Sequence, residues 1–301
     1  MKRRTVLAGM LIPLAPRTAW ASSARDSMVA GPAWLAPRLG DPDLVLLQVG
    51  DKAGYEVGHI PGARLVTLAD FVAPPSGPEP LFLEMPPAER LRSQLISLGV
   101  TDRSTIVVVP TREGIQSATR VVFTLDAAGL GGRTRLLEGG TAAWVAAGGV
   151  LSREAPGPAA PGKLSPIRFR PLVADRAAVM AALGKPGWKV VDARTPEFYS
   201  GARPGGMPGK PHRPGHIDGA ANVPFNSVTT PDLKLAPEAE IAARFKAAGV
   251  KPGDKVIAYC HVGQQATATL FAARSLGIDV RLYDGSFEEW SRTDGPVATG
   301  P

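Results

Sequence analysis

Short apolar runs that end on polar or glycine-containing turns recur along this chain, separated by stretches with apolar residues at three- and four-residue spacing. The first pattern reads as buried strand and the second as helix. Leu44-Val45-Leu46-Leu47-Gln48-Val49 leaves on Gly50-Asp51, and Lys189-Val190-Val191-Asp192 leaves on Ala193-Arg194. Thr105-Ile106-Val107-Val108-Val109 ends at Pro110, and Lys255-Val256-Ile257-Ala258-Tyr259 ends at Cys260. Helical patterns cover Leu91–Val100 and Ile241–Val250, each closing on a Gly-Val pair. Tyr55-Glu56-Val57-Gly58-His59-Ile60-Pro61-Gly62-Ala63 is echoed by Pro214-Gly215-His216-Ile217-Asp218-Gly219-Ala220, and Leu136–Trp144 by Leu282–Trp290. These landmarks fall in the same order twice, so the chain is two copies of one module.

Strands alternating with helices predict an α/β fold in each copy, a mostly parallel sheet flanked by helices. The copies occupy residues 30–152 and 169–301. Residues 153–168 between them read as a linker, because Arg153 to Pro166 is rich in Pro, Gly and Ala and lacks periodicity. Pro74 to Pro80 reads as a surface loop inside the first copy.

The N-terminus follows a different logic. Lys2-Arg3-Arg4 precedes an apolar run from Val6 to Ala15 that is too short to span a bilayer, followed by Ala19-Trp20-Ala21. A basic start, a short apolar core and a small-x-small site make residues 1–21 an export signal, and the arginine pair resembles the twin-arginine type. The expected compartment is the periplasm, with no stable membrane insertion after cleavage. The formal charge of +7 falls to +3 once Lys2, Arg3, Arg4 and Arg17 are gone, which argues against a nucleic-acid partner. The apolar content of 44% is ample for a core.

Cys260 is the only cysteine, so no internal disulfide can form and the thiol is free or modified. A lone cysteine is commonly a small buried hydrophobe. Here it stands between an apolar strand and the polar turn His261-Val262-Gly263-Gln264-Gln265, followed by a helical pattern from Ala266 to Leu276 with Gly277 as the stop. That order puts the thiol at a sheet edge facing the first amides of a helix, where unpaired N–H groups favour an anion and a thiolate. Cys260 is therefore the candidate nucleophile, and Gly263 permits the loop a left-handed dihedral. In the first copy Pro110 takes the cysteine's place and offers neither thiol nor amide hydrogen. The four histidines, His59, His212, His216 and His261, are scattered and imply no metal site; no cofactor is expected.

The Gly-His-Ile-Pro-Gly-Ala stretch and Tyr283-Asp284-Gly285-Ser286-Phe287-Glu288-Glu289-Trp290 resemble the signatures of the tandem-domain rhodaneses, the thiosulfate and 3-mercaptopyruvate sulfurtransferases. The resemblance covers nearly all of residues 30–300. It implies a rhodanese-like fold in both halves, chemistry in the second half alone, and a Cys260 persulfide that passes sulfur from a small anionic donor to a thiol or cyanide. It also implies that Arg194, in the family's Asp-x-Arg motif, and the loop His261, Val262, Gly263, Gln264 and Gln265 bind the donor. Read from residue type alone, Arg194 serves equally well in an ion pair with a carboxylate such as Glu197. Asp192 is read as structural, accepting amide hydrogen bonds in the turn, and His59 and His216 as fold residues.

Two departures bear on donor choice. The loop reads Cys-His-Val-Gly, not the Cys-Arg-Lys-Gly of the thiosulfate branch or the Cys-Gly-Ser/Thr-Gly of the mercaptopyruvate branch. His261, titrating near 6.5, is then expected to supply charge as pH falls. A second family arginine is replaced by Phe198, and an insertion, Ala202 to Arg213, offers Arg203, Lys210 and Arg213 as replacement cations if it folds over the loop. Cell-cycle dual-specificity phosphatases share the architecture, but their phosphate-gripping arginine falls on Ala266 here, which disfavours that activity. A non-enzymatic persulfide carrier for a partner protein is the other alternative. The chain is read as a monomer.

Overall fold

The structure, a computed structural model, describes residues 24–207 and 210–300. The export-signal stretch, residues 1–21, lies outside the described residues. In the first half β1 (Val29–Ala30), β2 (Leu44–Val49), β3 (Arg64–Val66), β4 (Thr105–Val109) and β5 (Thr134–Leu137) form one parallel sheet in the order β1-β5-β4-β2-β3. The second half contains β6 (Val173–Ala174), β7 (Trp188–Asp192), a hairpin of β8 (Gly206–Met207) and β9 (Lys210–Pro211), β10 (His216–Ile217), β11 (Ala221–Asn222), β12 (Lys255–Tyr259), β13 (Asp279–Tyr283) and β14 (Val297–Ala298). Its main sheet runs β6-β13-β12-β7-β11, all parallel, which is the first sheet's order repeated. The two-fold α/β architecture expected from the strand and helix alternation is present.

The repeat extends to side chains. Tyr55 stacks on His59 at 3.8 Å and Tyr199 on His216 at 3.7 Å. Each histidine's Nδ1 meets its tyrosine's own carbonyl, at 3.0 and 2.8 Å. Each tyrosine hydroxyl donates to the alanine that follows the Gly-His-Ile turn, Ala63 or Ala220. The histidines therefore hold the fold in both copies. Tyrosine and histidine are four positions apart in the first copy and seventeen in the second; the added chain carries the β8–β9 hairpin.

Ile106 to Val109 of β4 and Val256 to Tyr259 of β12 are buried on both faces because helices cover both sides of each sheet. One hydrophobic core runs through both halves, where the helix Ile115–Ala127 lies against the helix Gln265–Ser275. The buried carboxylate of Asp126 joins them, accepting from Arg274 at 2.5 Å and from Arg170 at 2.8 Å. Linker residues 153–168 form no helix or strand, yet Leu164 and Ile167 are buried and Ser165 donates to Asp102. The linker is pinned at these points, and most of its other residues are exposed. The loop from Pro74 to Pro80 reaches across the interface, with Arg292 donating to the Glu79 carbonyl at 2.9 Å.

Candidate active site

Cys260 is the first residue after β12, and it is fully buried. The chain then turns through residues 261–264, with Gly263 at φ +79°, into the eleven-residue helix Gln265–Ser275. Among the described residues, none of the amides from His261 to Ala266 donates to a protein acceptor. They form an anion-binding bowl at the positive end of the helix. The loop is fixed from beneath by the turn after β13. Ser286, at φ +52°, accepts from the Cys260 amide at 3.2 Å, and the Phe287 amide donates to the Cys260 carbonyl at 3.0 Å.

Arg194 emerges from the end of the neighbouring strand β7. Its Nε and Nη2 grip the fully buried Asp192 carboxylate, at 3.0 and 2.5 Å, and Nη2 also donates to the Gly215 carbonyl at 2.8 Å. The guanidinium lies 4.1 Å over the Phe287 ring. The ion-pair partner is therefore Asp192, not Glu197, which is too exposed to compete for a buried cation. Asp192 also accepts the Arg194 amide at 2.9 Å, the structural role read from sequence. Burial alone would lower the Arg194 pKa, but the Asp192 charge and hydrogen bond, with lesser contributions from Tyr259 and Cys260, hold it above its ordinary value. Nη1 has no partner among the described residues, so one face of the cation is left for a ligand.

The insertion covers the loop. Gly205 sits so close to the His261 ring that a side chain there would collide with it, at 2.7 Å. Phe198 meets the His261 ring edge-on at 4.5 Å, and His212 lies 5.8 Å from it. Of the three candidate cations, Arg203 stacks over Phe198 at 4.9 Å. Arg213 turns away and donates to the Trp290 and Gly295 carbonyls, so it does not replace the missing charge. The Lys210 side chain lies outside the described residues.

His261 departs from the sequence expectation. Burial, then the charges of Arg194, His212 and Arg203, push its pKa down from 6.5 to about 3. Burial with Arg194 and Arg292 lowers His212 to about 4. Both imidazoles are neutral throughout the ordinary pH range, and neither Nδ1 has a hydrogen-bond partner. Acidification to pH 5.5 therefore adds no cation here. Unfolding returns each imidazole to its ordinary affinity, so the unfolded chain binds more protons below about pH 6.5. Stability then falls as pH drops from about 6.5 toward 3–4.

Sequence reading missed the contribution of the first half. Arg120, fully buried in the helix Ile115–Ala127, crosses the interface and donates through Nη1 to the Gly263 carbonyl at 3.2 Å and to Asp284 at 2.7 Å. Its Nη2 donates to the Leu83 carbonyl. Ser117 accepts from the Gln264 side chain at 2.9 Å, and Thr119 bonds Thr267 at 3.0 Å. One signal was available, Arg120 as the lone charged residue between Ile115 and Leu125. Of the remaining expected residues, Val262 is half-buried beside the cysteine, and Gln265 opens the helix with its side-chain Oε1 buried and unpartnered. Ala266 is buried and Arg274 is committed to Asp126, so nothing in the loop grips phosphate as a phosphatase would. Among the described residues no cluster of His, Cys, Asp and Glu could hold a metal ion.

The model of the rhodanese-like domain matches residues 31–147 and again residues 175–293. The chain belongs to the rhodanese family. It is 34% identical over 272 residues to a thiosulfate sulfurtransferase of Azotobacter vinelandii, covering 90% of this chain and 96% of the relative. It is 33% identical over 286 residues to a probable 3-mercaptopyruvate sulfurtransferase of Pseudomonas aeruginosa, covering 88% and 96%. The crystal structure of the 3-mercaptopyruvate sulfotransferase SseA of Escherichia coli superimposes with a TM-score of 0.73 at 26% identity, covering 89% of this rhodanese and 99% of SseA.

Proposed function

We propose that Cys260 takes a sulfane sulfur from thiosulfate or a related small anionic donor, holds it as a persulfide, and hands it to a thiol or cyanide. The chain is a sulfurtransferase, and the observation that supports this route is the fully buried Cys260 at the lip of unpaired amides from His261 to Ala266. The Cys260 thiolate attacks the outer sulfur of thiosulfate. A new S–S bond forms at Sγ, the donor's own S–S bond breaks, and sulfite leaves with the electron pair. The terminal persulfide sulfur keeps the negative charge and sits where the loop amides point. The acceptor then attacks that sulfur, and the Cys260 thiolate is restored. Arg194 meets the donor's charge with Nη1 while Asp192 fixes its orientation.

A second donor, 3-mercaptopyruvate, is favoured by the neutrality of His212 and His261, since neither imidazole adds charge to that of Arg194 and this donor carries a single carboxylate. Cyanolysis with each donor tests the reading. Thiocyanate is expected from both, with the lower kcat/KM for thiosulfate. Because His261 and His212 are held at about 3 and about 4, thiosulfate turnover should not rise between pH 7 and pH 5.5. No thiocyanate from either donor would remove the proposed function, and an acid-enhanced thiosulfate rate would show a protonated imidazole at work.

Export to the periplasm belongs to the same proposal and rests on Arg3-Arg4, the short apolar run and Ala19-Trp20-Ala21. No helix among the described residues is long and apolar enough to cross a membrane. The mature chain should begin near Ser22, and replacing Arg3 and Arg4 by lysine should trap precursor in the cytoplasm. Undiminished export of that variant would leave a general secretory signal.

A further inference from the structure

The half without a nucleophile keeps a cavity where the other half keeps its arginine. Strand register shows the correspondence. Gln48 pairs with Val109 as Asp192 pairs with Tyr259, so Gln48 stands in the place of Asp192. Two residues later Gly50 stands in the place of Arg194. The turn after β5 repeats the one after β13, with Gly140 at φ +54° and Ser286 at φ +52°, so Thr141 stands in the place of Phe287. In the second half guanidinium, carboxylate and ring fill this space together. The first half has lost the guanidinium and the ring and put an amide where the carboxylate was.

What remains is a cavity of about 210 Å³ lined by Gln48, Gly50, Thr111, Arg112, Thr141 and Leu151. Gln48 is only 2% exposed, and its Oε1 has no hydrogen-bond partner. A buried amide oxygen without a donor is destabilising, and it marks a place where a donor fits. Thr111 takes the space directly over Gly50 and forms the cavity wall beside it. A side chain at Gly50 would meet the Thr111 hydroxyl at 2.8 Å, and that hydroxyl is committed to the Val49 carbonyl at 2.7 Å. Two charges of opposite sign lie on the wall. Asp51 contributes a carboxylate, and Arg112 is an exposed cation with no ion pair among the described residues.

We propose that this cavity binds a small guanidino acid. The guanidinium would occupy the space that the Arg194 side chain fills in the other half, donating to Gln48 Oε1 with Asp51 near its charge. The carboxylate would face Arg112 at the mouth. The volume lies below that of drug-sized pockets, which limits the ligand to a fragment of this kind. The site is separate from Cys260, and its occupation is not a step of sulfur transfer.

Titration calorimetry with 3-guanidinopropionate tests the proposal on the whole chain. Saturable binding is expected, with Kd on the order of 0.1–1 mM for so small a ligand. Gln48→Leu, which removes the acceptor, and Thr141→Phe, which returns the ring, should each weaken it by about tenfold or more. Arg112→Ala should weaken 3-guanidinopropionate and leave ethylguanidinium unaffected. Retained cyanolysis and a normal melting transition show that each variant is folded; should Thr141→Phe fail that check, Gln48→Leu carries the test. Gln48→Leu should also raise the melting temperature of the ligand-free protein, because it removes an unpaired buried oxygen. Absence of saturable heat, or wild-type affinity in folded Gln48→Leu, overturns the proposal.

Discussion

Cys260→Ser is expected to lose sulfur transfer by roughly 10⁴-fold or more while the protein remains folded. A serine oxygen cannot carry a sulfane sulfur, and no second cysteine exists to take over. The hydroxyl nearly matches the thiol in size, so the turn held by Ser286 and Phe287 is retained. Intact-mass measurement separates loss of chemistry from loss of fold. After treatment with donor the wild type should gain the mass of one sulfur and lose it on addition of cyanide. The serine variant should gain nothing and melt with a single transition. Turnover that survives the substitution would move the reaction centre away from Cys260.

Arg194→Ala should damage stability and catalysis together. The Asp192 carboxylate is fully buried, and removing its counter-ion leaves an unpaired charge, at a cost of about 3–5 kcal/mol. Loss of a charge-assisted hydrogen bond to the donor should lower kcat/KM by a further ten- to hundredfold, or about 1.5–3 kcal/mol. A double variant divides the two effects. Arg194→Met with Asp192→Asn removes both charges of this buried pair and should recover much of the urea midpoint without recovering kcat/KM. If it recovers both, Arg194 serves only the fold.

The repeat made the architecture readable in advance. Matching landmarks such as Tyr55-to-His59 and the run ending at Cys260 have local causes, apolar strands and glycine turns, and local causes leave marks in sequence. The placement of the Cys260 thiol was legible for the same reason, since a strand, a polar turn and a helix in succession position it without any tertiary knowledge. The ion pair of Arg194 was not. Asp192 and Glu197 are both near in sequence, and only the direction of β7 decides which carboxylate is buried with the guanidinium. His261 was misjudged because its acidity depends on a hairpin whose position over the loop is a tertiary fact. Arg120 was missed as a site residue because it comes from the other copy, and its lone charge in that helix does not say which loop it meets.

That bridge bears on how such a protein can diversify. With Pro110 in place of a nucleophile, the first copy's helix answers to the packing of the shared core and to the other copy's loop. Ser117, Thr119 and Arg120 meet Gln264, Thr267 and Gly263, so selection on turnover reaches three residues of a domain that performs none. Swapping either half for that of a relative would bring together a loop and a brace with separate histories. A viable chimera would have to carry the brace along with the loop, which makes the pair, not the domain, the unit that recombination can move.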